Sequence, residues 1–263
     1  MALGSILLTN LAGIGSVILL LWIVSLIRRD ASIVDIFWGA GFVLVAWLSL
    51  WASGHYSPRA LLLVAMVTVW GLRLAGYLAW RNLGKPEDYR YAAMRERQGK
   101  RFAIVSLLTV FGLQGLLMWI IALPIQVGVG RPGAWHVGVA VGVILWAAGL
   151  FFEAVGDSQL ARFKANPANR GQVMNRGLWR YTRHPNYFGD FLVWWGFYLT
   201  AAEPASWWWT MAGPLLMSFL LIRVSGVKLL ESSLRSRVAG YEEYVRNTSS
   251  FFPMPPKQIP RPD

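Results

Sequence analysis

Seven stretches of the chain are almost purely apolar, and the polar residues collect between them. The stretches cover residues 5–27, 32–53, 60–80, 102–123, 134–156, 186–201 and 207–228. All but the sixth reach the ~20 residues that a helix needs to cross the hydrocarbon core of a bilayer. In lipid every backbone N–H and C=O must be paired within the protein, so the stretches predict helices. The pattern therefore predicts an all-α integral membrane protein of about seven spans. The shorter sixth stretch predicts a tilted or partly interfacial helix. Residues 1–27 carry no charge. A secretory signal peptide begins with a basic region, so this segment predicts a retained span.

The polar segments are uneven. Residues 54–58, 124–133 and 203–206 predict short turn-rich loops. Residues 85–100, 157–184 and 231–263 are long, and the first of them predicts a polar helix lying on the membrane surface. With the N-terminus placed outside, only Arg59 and Arg131 fall in outer loops and Arg73 falls within a span. Every other Lys and Arg of the 25 falls on the inner side. Such a bias sets topology, and it predicts N-out, C-in and an odd number of spans. Trp207, Trp208 and Trp209 predict an interfacial aromatic belt.

Composition agrees with lipid as the solvent. Hydrophobic residues make up 56% of the 263, and charged residues only 14%, against about 25% in soluble domains. The net charge of +12 suits nucleic acid or membrane headgroups. Because the basic residues sit in blocks between apolar runs, it is read as inner loops, and no nucleic acid is expected. There is no cysteine, which excludes disulfides, thiolate metal sites and a cysteine nucleophile. No metal site is expected.

Candidate chemistry lies in a few places. Gly128–Gly133 spells G-x-G-x-x-G, but a dinucleotide fingerprint needs a preceding strand, and here it falls in an expected outer loop. Ionisable residues within spans are functional candidates by default. Asp35 lies near the inner end of the second span with Trp38 one turn on, and Arg73 in the third span could face it. That pair reads either as a structural ion pair or as a polar group reaching a substrate cavity. Glu153, Asp157, Leu160 and Lys164 follow helical spacing and form a charged stripe, which reads as a salt-bridge network or as part of a site. The densest constellation is Gly177-Leu-Trp-Arg-Tyr-Thr-Arg-His-Pro-Asn-Tyr-Phe-Gly-Asp190. Pro185 suits the first turn of a helix, whose free N–H groups favour an anion. Arg180, Arg183 and His184 add cationic donors. Asn186 and Asp190 share a face one turn apart. Tyr241 and Tyr244 either hold a cofactor or anchor the tail.

These residues carry a resemblance. Asp157 with Lys164, the 177–190 motif, Val224-Ser-Gly-Val-Lys-Leu-Leu-Glu231 and Tyr241-Glu-Glu-Tyr244 resemble the steroid 5α-reductase family, most of all its bacterial members. The Arg-His-Pro-Asn-Tyr core also resembles the isoprenylcysteine and phospholipid methyltransferases. Asp35-Ile-Phe-Trp-Gly39 and Trp70-Gly-Leu-Arg73 tilt the reading to the reductases. The resemblance covers most of residues 30–256. It implies a seven-helix reductase that uses NADPH to reduce a Δ4-3-ketosteroid or a similar lipid-soluble enone. It divides the chain into spans 1–85 on the substrate side and residues 102–263 on the nucleotide side. Asp157, Lys164, Trp179, Arg183, His184, Asn186, Asp190, Arg223, Glu231, Tyr241 and Tyr244 are the implied NADPH contacts. The animal enzymes carry an adjacent Gln-Glu pair in the second span that meets the substrate ketone. No such pair stands here, and Asp35 is the positional equivalent. Hydride addition to an enone places negative charge on the ketone oxygen, so a donor aimed there lowers the barrier. Asp35, Arg73 and Tyr77 are the catalytic candidates, and Asp35, Trp38 and Trp70 the substrate contacts.

Two other readings stand beside this one. An S-adenosylmethionine-dependent methyltransferase would use the same inner pocket. The other is not an enzyme: a transporter, which would need polar residues along several spans while the outer halves here are nearly free of charge, or a sterol-binding protein without turnover. The expected location is a bacterial inner membrane, or an endoplasmic reticulum membrane in a eukaryote.

Overall fold

The computed structural model describes residues 2–131, 133–224, 238 and 240–257. Among these residues the regular structure is helical, with one isolated bridge between Thr182 and Ser249. The chain forms two compact units. One comprises Met1–Val139 with Phe197–Gly213, and the other Ala140–Gly196 with Pro214–Asp263.

In the first unit, α1 (Leu3–Arg28), α2 (Ile33–Ser53) and α3 (Pro58–Asn82) are long and apolar. Their ends follow from local chemistry. Gly54 closes α2 in the left-handed conformation, φ 66, which costs glycine nothing. Pro58 opens α3, and the Ser57 side chain accepts from the Ala60 N–H at 3.2 Å, an N-cap with a proline in the first turn. α2 and α3 touch backbone to backbone at Gly39 and Gly71. A Cβ on Gly39 would lie 2.4 Å from the Gly71 carbonyl oxygen, so only glycine permits this approach. A buried hydrogen bond from Asn10 Nδ2 to Ser49 Oγ, 2.8 Å, ties α1 to α2. Next come α4 (Tyr89–Gln98), α5 (Phe102–Ser106), a π-helical turn (Leu107–Gly112) and α6 (Leu113–Ile121).

Residues 124–133 depart from expectation. Instead of an exposed loop, Leu123–Gly130 forms a short helix, α7, and residues 124–130 are buried. The glycines of residues 124–133 serve packing. A Cβ on Gly128 would collide with Ala201, one on Gly130 with Ile6, and one on Gly133 with the Arg59 guanidinium. Arg59, expected in an outer loop, is buried and forms an ion pair with Glu203. The G-x-G-x-x-G spelling is thus met by helix contacts, with a helix in place of the strand that a dinucleotide site requires.

α8 (Val137–Ala165) and α9 (Pro185–Ala201) supply most of the second unit. They run antiparallel, with glycine at intervals of seven: Gly142, Gly149 and Gly156 on α8, Gly189 and Gly196 on α9. Seven residues are two helical turns, so each set lines one face. A Cβ on Gly149 would stand 2.5 Å from the Gly189 oxygen, and one on Gly196 would stand 2.7 Å from the Gly142 oxygen. At the end of this seam Gly156 faces Pro185 and Asn186. That crossing positions the motif residues. Further described helices are α10 (Trp207–Thr210), α11 (Ala212–Phe219), a π-helical turn (Leu220–Val224) and α12 (Tyr241–Asn247).

Among the described residues six helical segments are long and apolar enough to cross a bilayer: α1, α2, α3, Tyr89–Ile121, α8 and Trp207–Val224. The sixth expected stretch forms α9, whose 17 residues sit at the lower limit for spanning. Leu8, Leu20, Ile27, Ile104, Leu108 and Ile144 remain largely exposed. So much apolar surface on every long helix belongs in lipid. The fold is an all-α integral membrane protein.

Candidate functional site

In the first unit a polar cluster forms around Asp35, in the first turn of α2. Its Oδ1 accepts from the Tyr91 hydroxyl at 2.8 Å and from Gln114 Nε2 at 3.3 Å, and its Oδ2 accepts from Arg90 at 3.1 Å. Gln114 also donates to the Tyr91 oxygen at 3.4 Å. Gln114 lies two residues past the π-helical turn, a helix irregularity found often at functional sites.

The start of α4 is held against the α1–α2 turn. The Asp88 N–H donates to Ser32 Oγ, 2.8 Å, and the Ala31 N–H donates to Glu87, 2.7 Å. Arg95 grips Glu87 with two hydrogen bonds at 3.1 and 2.8 Å. Asp88 caps α4 through the Arg90 N–H. Partial burial pushes the Asp88 carboxyl up, but hydrogen bonds from the Arg90 side chain and backbone outweigh this and hold it below its ordinary value.

Trp38, one turn beyond Asp35, begins a chain of rings. Its ring lies 5.3 Å from Phe42, Phe42 lies 5.8 Å from Trp70, and Trp70 lies 5.7 Å from Phe197. Trp70 and Phe42 are fully buried. Tyr77, on α3, packs against Trp80 at 5.9 Å and under the Arg81 guanidinium at 5.7 Å. Arg73 is half-buried on the same helix. The structure thus surrounds Asp35 with Arg90, Tyr91 and Gln114, none of which the sequence reading had joined to it.

In the second unit the 177–190 motif is drawn together by hydrogen bonds. Asn186 Nδ2 donates to Asp157 Oδ1 at 3.2 Å, across the crossing at Gly156. The Trp179 indole N–H donates to the Gly156 carbonyl at 3.0 Å, and the Tyr244 hydroxyl donates to the Trp179 carbonyl at 2.5 Å. Arg183 is buried, and its guanidinium donates to the carbonyls of Val245, at 3.0 Å, and Thr248. Its backbone N–H donates to the Ser249 carbonyl at 2.9 Å. The His184 ring stacks on Tyr187, centroids 5.4 Å apart. Trp179, Arg183 and Tyr244 therefore clamp the segment 240–257 onto the motif. Phe251 and Phe252 complete the clamp by packing on Phe188 and Phe191.

Beside this clamp opens a pocket of about 860 Å³, lined by residues that include Arg176, Arg180, Tyr181, Tyr244, Asn247 and Lys257. Of the implied NADPH contacts among the described residues, Tyr244 alone lines it. Asp157, Trp179, Arg183, His184 and Tyr241 are buried, Asn186 and Asp190 half-buried, and Lys164 and Arg223 exposed. Glu231 lies outside the described residues. Arg176 and Lys257 escaped the sequence reading as site residues, because their partners are brought close only by the return of residues 240–257.

Comparison with known proteins gives four findings. Over 56 residues the chain is 41% identical to a probable O-methyltransferase, ustE, of Ustilaginoidea virens, a match covering 21% of this chain and 19% of that protein. Over 212 residues it is 26% identical to an uncharacterized protein of Schizosaccharomyces pombe, covering 69% of this chain and 60% of the relative. The chain thus spans less than two thirds of either relative's length. No solved structure matches it. The family model described as a protein of unknown function, DUF1295, matches residues 21–248, and the chain belongs to that family.

Proposed function

We propose that this protein is an NADPH-dependent reductase of a lipid-soluble enone, the Δ4 double bond of a 3-oxo-Δ4-steroid or a similar lipid. The observation that carries the reading is the Asp35–Tyr91–Gln114 cluster set beside a chain of aromatic rings. It combines hydrogen-bond donors for a carbonyl oxygen with apolar surface for a rigid ring system. The resemblance of the 177–190 and 35–39 motifs to steroid 5α-reductases supports it.

The second unit suits a nucleotide. The pocket lies within the size range of ligand sites, roughly 300–1,000 Å³, and is lined by cations and tyrosines. NADPH, when bound, supplies the hydride. The protein's own residues hold and orient. Arg176, Arg180 and Lys257 meet phosphate, the Asn186–Asp157 pair fixes polar edges at the helix crossing, and the Arg183 clamp keeps the pocket walls together. Tyr91, whose oxygen accepts from Gln114, turns its one hydroxyl proton from Asp35 to the substrate oxygen when substrate binds and so meets the negative charge that develops there. In this reading the basic segments face the cytoplasm, and the membrane is a bacterial inner membrane.

A second reading is favoured by the relative named as a probable O-methyltransferase. An S-adenosylmethionine-dependent methyltransferase would occupy the same unit. Equilibrium binding of NADPH and of S-adenosylmethionine to detergent-purified protein separates the two. The reductase reading expects NADPH to bind. S-adenosylmethionine binding with no NADPH binding would overturn it.

A further inference from the structure

The pocket beside the clamp has its own chemical character. Its walls are two segments of the second unit, residues 173–181 and 240–257. Both are pinned. Gly177 turns with φ 59, and the adjacent Leu178 N–H donates to Gln159 Oε1 at 3.0 Å, fixing the first wall to α8. The Met254 N–H donates to the Tyr181 carbonyl, and the Lys257 N–H donates to the Asn247 carbonyl, each at 2.9 Å. With the Tyr244–Trp179 bond, these contacts make a preformed cleft in place of two loose loops.

Three cations line it, Arg176, Arg180 and Lys257, against one carboxylate, Glu243. Among the described residues none of the three is paired with a carboxylate. Tyr181 presents a partly exposed ring. Asn247 Oδ1 is buried and has no hydrogen-bond partner among the described residues. A second hollow of about 370 Å³ adjoins the first, sharing Arg176, Asn175 and Glu243 with it. The set is a phosphate-sized positive charge, a stacking ring, an acceptor for an amino or hydroxyl group and a carboxylate for a ribose hydroxyl. Arginine recognises phosphate through paired N–H donors, and its ring-stacking habit suits a purine.

The geometry points to this cleft as the seat of a 2′-phosphorylated adenosine, with Arg176, Arg180 and Lys257 as the residues that select NADPH over NADH. The inference rests on the reductase reading and names the part of the chain that reads the extra phosphate. Tyr181 stacks on the adenine, Asn247 accepts from a nucleoside N–H or O–H, and Glu243 accepts from the free ribose hydroxyl. These residues are distinct from the Asp157–Asn186 pair at the α8–α9 crossing.

The test is equilibrium binding of NADPH, NADH and adenosine 2′,5′-bisphosphate to the full-length protein in detergent. The wild type is compared with Arg176→Gln, Arg180→Gln, Lys257→Gln and the triple variant. NADPH and NADH differ only in the 2′-phosphate. The wild type should prefer NADPH, and each arginine substitution should lower the preference about tenfold, the worth of one charge-assisted contact. The triple variant should bind the two nucleotides equally and should lose the bisphosphate. A folded triple variant that keeps the wild-type preference would overturn the inference and leave the reductase reading standing. Should the triple variant fail to fold, the salt dependence of the wild type decides. NADPH affinity should fall more steeply with salt than NADH affinity, and equal slopes would overturn the inference. A wild type that binds S-adenosylmethionine and neither nicotinamide nucleotide would overturn the reductase reading itself.

Discussion

Replacing Arg183 by alanine asks whether the Arg-His-Pro motif builds the site or only touches the ligand. The guanidinium is buried and donates to two backbone carbonyls, Val245 and Thr248. Truncation leaves both carbonyls unpaired where water reaches them poorly. A stranded buried acceptor costs about 1–3 kcal/mol, so the two together cost about 3 kcal/mol. The neighbouring backbone bond from the Arg183 N–H to Ser249 survives, so the segment loosens without detaching. Melting of detergent-purified protein and limited proteolysis of residues 240–257 measure this. A loss of about 3 kcal/mol corresponds to roughly 10 °C in a protein of this size, and cleavage in the segment should accelerate in parallel. Arg183→Lys keeps the charge but not the planar fork, and should recover part of the loss. If Arg183→Ala lost NADPH binding while melting and proteolysis stayed at wild-type values, the clamp argument would be refuted.

Further perturbations address the other contacts. Tyr91→Phe removes the hydroxyl that donates to Asp35. By analogy with loss of one oxyanion donor, turnover should fall about 10²–10³-fold with NADPH affinity unchanged, and full activity would remove Tyr91 from the site; Asp35→Asn should behave alike. Gly189→Ala inserts a Cβ 2.5 Å from the Gly149 oxygen and should cost about 1–3 kcal/mol through overpacking. Gly76→Ala, with nothing within 4 Å, should not; equal melting temperatures for the two would contradict the glycine seam. Because the folded-state pKa of Asp88 is depressed, its contribution is in place above the unfolded value of about 3.9 and is lost as pH falls through the folded value. Asp88→Asn should therefore lower stability at pH 7 and make no difference well below that range, and a deficit independent of pH would refute the assignment.

The spans were legible because lipid imposes one rule on every residue of a long apolar run. Residues 124–130 broke that rule's simplest use. Gly and Pro there suggested a loop, yet small residues are also what a closely packed membrane helix needs, and Gly128 and Gly130 serve that end. The motif 177–190 was visible because Pro, Asn and Asp sit at helical spacing. The clamp was not, since Arg183 meets Val245 and Thr248 some 60 positions on, a distance that no local pattern encodes. Likewise Asp35 stood out as a charge in an apolar run. Its partners Tyr91 and Gln114 lie 56 and 79 residues away, the latter presented by a π-helical turn that follows no periodicity. Trp179 and Tyr244, implied by the resemblance as cofactor contacts, also join side chain to backbone within the fold, through bonds to Gly156 and Trp179 that no local pattern encodes.

The central claim is hydride transfer to a lipid enone. Its most direct test is incubation of the purified protein with NADPH dideuterated at nicotinamide C4 and a panel of 3-oxo-Δ4-steroids, followed by mass analysis of the products. The account predicts a product heavier by two hydrogens, one of them deuterium from the cofactor at the β-carbon and the other a solvent proton at the α-carbon. Absence of label from every enone, with the protein folded and NADPH bound, would contradict it.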